Sequence, residues 1–455
     1  MRKEQHMKNK NGVMDLTVGR PITQILLFSI PLVLGTLFQQ LYSFVDTIMV
    51  GRLIGTDALA AVGTTYSLNF LILGFVQGAC VGFGIPLAQS VGANEPKEFK
   101  KYYWNGIWIC IVLAIAMTIL TFLGTDWLLR LIQTPDDIFS DASLYIKVIF
   151  LGIPASILYN FSASALRAAG DSQHPFYFLL FSSFLNIALY YVCIAIFGWG
   201  VAGAALATVL SQLVSGLLNL YWLAAKTEFI ANSKSEKKIS CSHIKQLCIV
   251  GFPMGFEYSV SAIGAVVMQS AINNLGSIAV AGQTAGEKIR QMFTLPMESV
   301  GMGMATYAGQ NDGAKRPDRI KQGIRAGLTI QWTYCVVAWI VIFFGKGAFT
   351  NLVLGTTTSA EAALSIQYLT HISTLFCIHG ALMIFRNTLQ GMGYSVHAVL
   401  SGVGELLGRT VGGVLAVSGA GFLAICYANP LAWGFALLYC VIMVTYFINK
   451  KYGSK

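Results

Sequence analysis

Twelve runs of predominantly apolar residues, each long enough to cross a bilayer, dominate this 455-residue chain. A helix needs about 20 apolar residues to span the hydrocarbon core, and the runs cover approximately 22–50, 58–90, 103–125, 141–169, 175–197, 201–225, 246–273, 277–309, 323–345, 362–391, 395–418 and 421–449. Without water to satisfy the backbone, such runs have to be helices. The expected fold is therefore all-α and integral to the membrane. Composition agrees: only 11% of residues are charged and mean hydropathy is +0.64, against about 25% charged in a soluble protein. The second, eighth and tenth runs exceed what a span requires and predict tilt or a bend.

The net charge of +10 suggests nucleic acid until the basic residues are located. With the N-terminus in the cytoplasm, 22 Lys and Arg fall on inner segments and 3 on outer ones, the other five lying inside spans. That asymmetry is the positive-inside pattern. It places both termini in the cytoplasm and the chain in the inner (cytoplasmic) membrane, and gives no role to nucleic acid. The polar start runs into a stretch too long for a signal-peptide core, so no cleaved leader is expected. Nine cysteines, mostly within apolar runs and without CxxC spacing, read as small hydrophobes.

The chain repeats itself. Leu166, Gly170, Ser172 and His174 match Leu389, Gly393, Ser395 and His397 at an offset of 223. Pro31 and Pro253 are 222 apart, and Gly92-Ala-Asn94-Glu pairs with Gly309-Gln-Asn311-Asp at 217. Six spans per half leave the halves in one orientation, related by a pseudo-two-fold axis along the membrane normal. The expected organisation is a cytoplasmic tail (1–20), an N-lobe of six helices (21–225), a cytoplasmic linker (226–245), a C-lobe of six helices (246–449) and a tail (450–455).

Repeated bundles with a site between them describe secondary transporters. No GxxxxGK[ST] is present, so ATP has no part, and the six histidines form no HExxH, so an enzyme is not expected. Glycine pairs such as Gly82/Gly84 and Gly301/Gly303 lie in apolar spans and read as close helix contacts. Ionisable residues inside spans are functional hypotheses by default. Asp46 closes a polar stripe of Gln39, Gln40, Tyr42 and Ser43 on the first helix, with 39, 42, 43 and 46 on one face. It is either a coupling carboxylate or an interfacial cap. Glu257 follows Pro253 by one turn and is either a cation site or a group at the cytoplasmic headgroups. Glu287 with Arg290 and Glu405 with Arg409 have ion-pair spacing. Arg386 has no acid one turn away on its own helix, and His379 and His371 share that helix.

The runs Ile30-Pro-Leu-Val-Leu-Gly35, Gln39-Gln40-Leu-Tyr42, Val45-Asp46-Thr-Ile-Met-Val-Gly51-Arg52 and Ala58-Leu-Ala-Ala-Val-Gly63 resemble the opening of the multidrug and toxic compound extrusion (MATE) family. Ala165-Leu-Arg167-Ala-Ala-Gly170-Asp171, Gly200-Val-Ala-Gly203-Ala-Ala-Leu-Ala-Thr208-Val-Leu-Ser211-Gln212 and Gly309-Gln-Asn311-Asp-Gly313-Ala extend the resemblance from about Leu16 to Tyr452. It implies two six-helix lobes forming a V, and export of amphipathic or cationic drug-like compounds in exchange for H+ or Na+ by alternating access, in a monomer without a cofactor. Asp46 matches the family's first-helix aspartate; Asn186 and Thr208 match oxygen donors that accompany it and imply a Na+ set. Tyr190 stands where similar members carry a second Asp, which weakens the case for Na+. In the C-lobe, one branch's seventh-helix glutamate falls at Ser261 rather than Glu257, and its tenth-helix aspartate falls nearest His379. Coupling is therefore expected at Asp46, with Glu257, His379 and Arg386 as further C-lobe candidates for coupling or substrate. The alternative is a lipid-linked oligosaccharide flippase of the same superfamily, which would hold a pyrophosphate with cations such as Arg290, Arg386 and Arg409.

Overall fold

The computed structural model describes residues 13–226 and 238–453, and every regular element among them is helical. In chain order these are α1 (Pro21–Leu53), α2 (Thr56–Thr64), α3 (Tyr66–Gly92), α4 (Pro96–Leu131), α5 (Asp136–Leu151), α6 (Ile153–Ala168), α7 (Gln173–Tyr190), α8 (Gly200–Lys226), α9 (Cys241–Asn273), α10 (Ser277–Gly313), α11 (Pro317–Leu354), α12 (Ala360–Ser373), α13 (Phe376–Gly391), α14 (Ser395–Leu415) and α15 (Gly421–Tyr452). Seven helical stretches among the described residues are long and apolar enough to cross a membrane. Two bent pairs, α5 with α6 at 44° and α12 with α13 at 53°, qualify as broken spans. Most of the linker, residues 227–237, lies outside the described residues.

Three apolar runs were expected to tilt or bend. The second breaks at Thr65 between α2 and α3, and the tenth is the α12/α13 pair. The eighth is a single 37-residue helix, α10, with Pro296 inside it. The fourth run, not among those singled out for length, also bends, at Gly152, where α5 stops and Pro154 enters the first turn of α6. Proline is tolerated there because a first-turn N–H has no intrahelical partner.

The repeat reappears in the backbone. α3 and α10 end alike: Asn94 and Lys315 are both left-handed at φ 56°, and Glu95 and Arg316, at φ −112° and −114°, lead into Pro96 and Pro317. Gly170 and Gly393 have φ 96° and 86°, and π-helical turns follow α7 at Tyr191–Ile196 and α14 at Ala416–Ala420. These landmarks corrected one expected match. Gly92-Ala-Asn94 corresponds to Gly313-Ala-Lys315, whereas Gly309 to Asn311 still lie inside α10, one turn short of its end.

The described residues pack as two compact units, which fall within Met1–Asp15 with Leu34–Tyr258, and within Leu16–Val33 with Ser259–Lys455. α1 and α9 are thus each divided between units, with Pro31 and Pro253 close before the divisions, where an intrahelical hydrogen bond is missing. In unit 1, α9 is fastened to α4 at its polar end. Glu98 accepts from Lys101 at 2.7 Å and faces His243 Nε2 at 2.9 Å, and Asn105 Oδ1 accepts from the Ser240 N–H. Those two partners hold the Glu98 carboxyl below its ordinary range. In unit 2, Arg319 donates to Asn311 Oδ1 and to the carbonyls of Leu16, Val18 and Gly19, which fixes the segment before α1. None of the nine cysteines forms a disulfide, and six are buried, as small apolar side chains would be.

The glycine pairs sit at helix contacts. A Cβ on Gly82 would stand 2.6 Å from the Gly251 Cα, and one on Gly301 would stand 2.6 Å from Asn387 Nδ2. At Gly82 the obstacle is backbone, which cannot rotate away. Gly82→Val is expected to lower stability by about 1–3 kcal/mol through overpacking, read as a drop in the thermal midpoint. Gly63→Ala is the control, since a Cβ there meets nothing within 4 Å and a helical Gly→Ala change is neutral or stabilising.

Candidate functional site

The polar stripe on α1 faces a recess built wholly within unit 1. Gln39 and Tyr42 from α1, Tyr159 from α6, Leu179, Ser182, Ser183 and Asn186 from α7, and Ser211, Gln212 and Ser215 from α8 line this small recess. No lining residue is charged. The helices bring hydroxyls and amides here because polar residues recur every three or four positions along otherwise apolar sequences, at 182/183, 186 and 190 on α7 and at 208, 211/212 and 215 on α8. Several serines return their hydroxyls to their own helix: Ser182 and Ser183 donate to the Leu179 carbonyl at 2.9 Å, and Ser211 to the Thr208 carbonyl at 2.9 Å. Ser156 donates to Gln212 Oε1 at 2.5 Å. Asn186 Oδ1 and Ser215 Oγ have no hydrogen-bond partner among the described residues although both are shielded from solvent.

Asp46 lies one helical turn beyond Tyr42. Its side chain accepts a hydrogen bond from Tyr190, and the Tyr42 and Tyr145 hydroxyls are within electrostatic reach. One carboxylate oxygen, Oδ1, is shielded from solvent and has no partner among the described residues. The Tyr190 hydroxyl is also 3.5 Å from Thr208 Oγ1, and Asn186 Nδ2 is 3.4 Å from Ser211 Oγ. Asp46, Tyr190 and Thr208 are therefore linked, and Asn186 joins them through Ser211, which donates to the Thr208 carbonyl. Tyr190, which stands where a second carboxylate was expected from similar sequences, instead donates to the first. Gln40 and Ser43 are not among the residues lining the recess. Sequence reasoning missed Tyr145, Tyr159 and the α7 and α8 serines; the helical spacing of the serines carried a usable signal, while the two tyrosines had none that distinguished them from core aromatics.

The donor set at Asp46 is entirely oxygen with a single carboxylate. That suits a proton or a hard monovalent cation. No group of three or more His, Cys, Asp or Glu able to hold a metal ion occurs among the described residues.

The three C-lobe candidates separate. Glu257 lies in the part of α9 that belongs to unit 1, next to Phe256, which packs on Phe75 with ring centroids 5.1 Å apart. His379 and Arg386 are buried in unit 2. Arg386 donates to Ser401 Oγ at 2.9 Å and pairs with Glu405, so the acid absent from its own helix comes from α14. Glu405 also pairs with Arg409 at 3.2 Å, and Glu287 with Arg290 at 2.5 Å, as their spacing predicted. Tyr368 donates to Glu287 at 2.6 Å and accepts from Asn429 at 3.3 Å. Arg290, Arg386 and Arg409 are thus each held by a carboxylate.

The MatE family model matches residues 31–192 and 253–411, two windows whose starts are 222 residues apart, as in the internal repeat. The probable multidrug resistance protein YoeA of Bacillus subtilis (strain 168) is 28% identical over 402 residues, covering 86% of this chain and 84% of its own. The probable multidrug resistance protein YpnP of the same organism is 31% identical over 308 residues, covering 67% and 68%. Among solved structures, an outward-facing multidrug resistance MATE family transporter of the MOP superfamily superposes with a TM-score of 0.90 at 22% identity, covering 97% of this chain and 99% of that one. The fold, the paired windows and the relatives agree: the chain belongs to the MatE family, whose members are multi-pass membrane transporters and not enzymes.

Proposed function

We propose that the chain is a secondary active multidrug exporter, moving small amphipathic and commonly cationic compounds out of the cell in exchange for H+ or Na+ by alternating access. One observation carries the reading: Asp46 keeps a shielded carboxylate oxygen with no donor among the described residues, beside a polar recess to which Tyr42 and Asn186 both contribute. A buried carboxylate is costly in a membrane, and binding a proton or a monovalent cation relieves that cost. Solute and coupling ion would then compete around one helix face. The names of the relatives, multidrug resistance proteins, support drug-like substrates. The excess of Lys and Arg on inner segments supports cytoplasmic termini in the cytoplasmic membrane. On this reading the protein works as a monomer, without ATP or a bound cofactor.

The test is dye uptake into everted vesicles under an imposed proton gradient or an imposed Na+ gradient. Uptake is expected under at least one of them and at background without either. Uptake under neither gradient would overturn the proposal.

A further inference from the structure

Two walls of the recess in unit 1 are made of hydrogen-bond acceptors. Ser182 and Ser183 on α7 donate to the Leu179 carbonyl, and Ser211 on α8 donates to the Thr208 carbonyl. A hydroxyl has a single proton, so these oxygens can only accept from whatever enters the recess. Asn186 is oriented by the same count. Its amide faces Ser211 Oγ at 3.4 Å, and because that oxygen has no proton left to give, the group facing it is the NH2. The Asn186 carbonyl oxygen is left over, and neither it nor Ser215 Oγ has a hydrogen-bond partner among the described residues. Both residues line the recess and are 1% exposed. Buried polar groups without partners are rare, and each calls for an explanation.

Charge and size narrow the occupant. Asp46 acts electrostatically on Tyr42 and Arg167 on Tyr159, so a carboxylate stands beyond the α1 side of the recess and a guanidinium beyond the α6 side. The acceptor walls are the ones connected to the carboxylate, through Ser211, Thr208 and Tyr190. A cation that carries N–H groups satisfies these oxygens and is drawn to the same side by Asp46; an anion gains neither. A quaternary ammonium has the charge but no N–H to donate. It binds best against ring faces, of which this small recess offers only those of Tyr42 and Tyr159, and its methyl groups would cover the acceptor oxygens without pairing them. We propose that the recess selects cations bearing N–H donors, protonated primary and secondary amines, over quaternary ammonium compounds, with Asn186 and Ser215 as the selecting residues. The inference rests on the export reading for the recess being a solute site, and it narrows the class of solute.

The test is binding to the purified full chain in detergent, without any ion gradient, of two probes that share one charge and one apolar body: 4-phenylbutylammonium and its N,N,N-trimethyl analogue at neutral pH. Each is titrated at constant ionic strength while the thermal midpoint is followed. The primary amine is expected to bind about tenfold more tightly, because it makes hydrogen bonds that the trimethyl analogue leaves unmade. Ser215→Ala and Asn186→Leu each remove one acceptor with little change of shape, and each should cut the ratio to about threefold by weakening the amine. Equal or tighter binding of the trimethyl analogue, binding of neither probe, or a ratio that neither variant changes would overturn the proposal. Should the variants not fold, the wild-type ratio decides alone. Failure here is distinct from failure of export: a chain that takes up dye under a gradient but binds both probes alike is an exporter without this selectivity, whereas one that prefers the amine but takes up no dye has the selective recess without the coupling.

Discussion

Replacing Asp46 by Asn should reduce gradient-driven export to background, a loss of at least tenfold, or about 1.4 kcal/mol, while leaving the protein folded. Asn has nearly the same shape, and its carbonyl can still accept from the Tyr190 hydroxyl, so the local packing of α1, α7 and α8 is retained. What it loses is the ability to change charge. A neutral amide cannot exchange a proton or balance a monovalent cation, so solute binding and ion binding become uncoupled. Stability is expected to hold or to rise slightly, because the substitution removes a poorly solvated carboxylate whose Oδ1 has no partner among the described residues. Tyr190→Phe provides a graded comparison: the carboxylate remains, one donor is lost, and export should fall less than in Asp46→Asn. The measurements are dye uptake into everted vesicles and the thermal midpoint of the purified variants. Full export by Asp46→Asn would remove Asp46 from the coupling mechanism; loss of export together with loss of the folded protein would mean that Asp46 is structural.

Most of the helical layout could be read from the residues because lipid enforces it. A run of apolar residues at least 20 long has few alternatives to a helix, and the α1, α4, α7, α8 and α11 runs appear in place. The bends were harder. Gly152 and Pro154 interrupt α5 and α6 inside a stretch that is still apolar enough to count as one span, so the apolar signal does not mark the break. The repeat was partly legible. Matching letters found Gly170 and Gly393, where a left-handed glycine is needed in both halves, but misplaced the end of α10 by one turn. The left-handed residue there is Lys315 where the first half has Asn94; Asn adopts that conformation readily and Lys does not, so the letters differ where the backbone agrees. At the candidate site, the members on one helix were visible as stripes, whereas their meeting was not. Glu287–Arg290 and Glu405–Arg409 follow from spacing on a single helix. Arg386 finding Glu405, or Tyr190 reaching Asp46, depends on which helices pack together, and spacing within one helix carries no information about that.

The largest loss of stability is expected from Glu405→Gln, for a reason specific to its position. Glu405 is 6% exposed and accepts from both Arg386 and Arg409, so one carboxylate holds two guanidiniums on different helices. Breaking a buried ion pair by removing one partner costs about 3–5 kcal/mol, because the charge left behind is not rehydrated; here two cations lose their shared carboxylate, and Gln has one neutral oxygen for the two of them and turns an N–H donor toward the other. A fall in the thermal midpoint and in the yield of folded protein should follow. The cause can be separated from simple loss of a hydrogen bond by a second substitution. Adding Arg386→Met removes one of the two cations that lost the carboxylate and fills its volume with apolar atoms, so the double variant should be more stable than Glu405→Gln alone, whereas two independent losses would simply add. A Glu405→Gln protein as stable as the wild type would mean that other groups or water already compensate these guanidiniums, and Glu405 would have no special weight in the packing of α13 on α14.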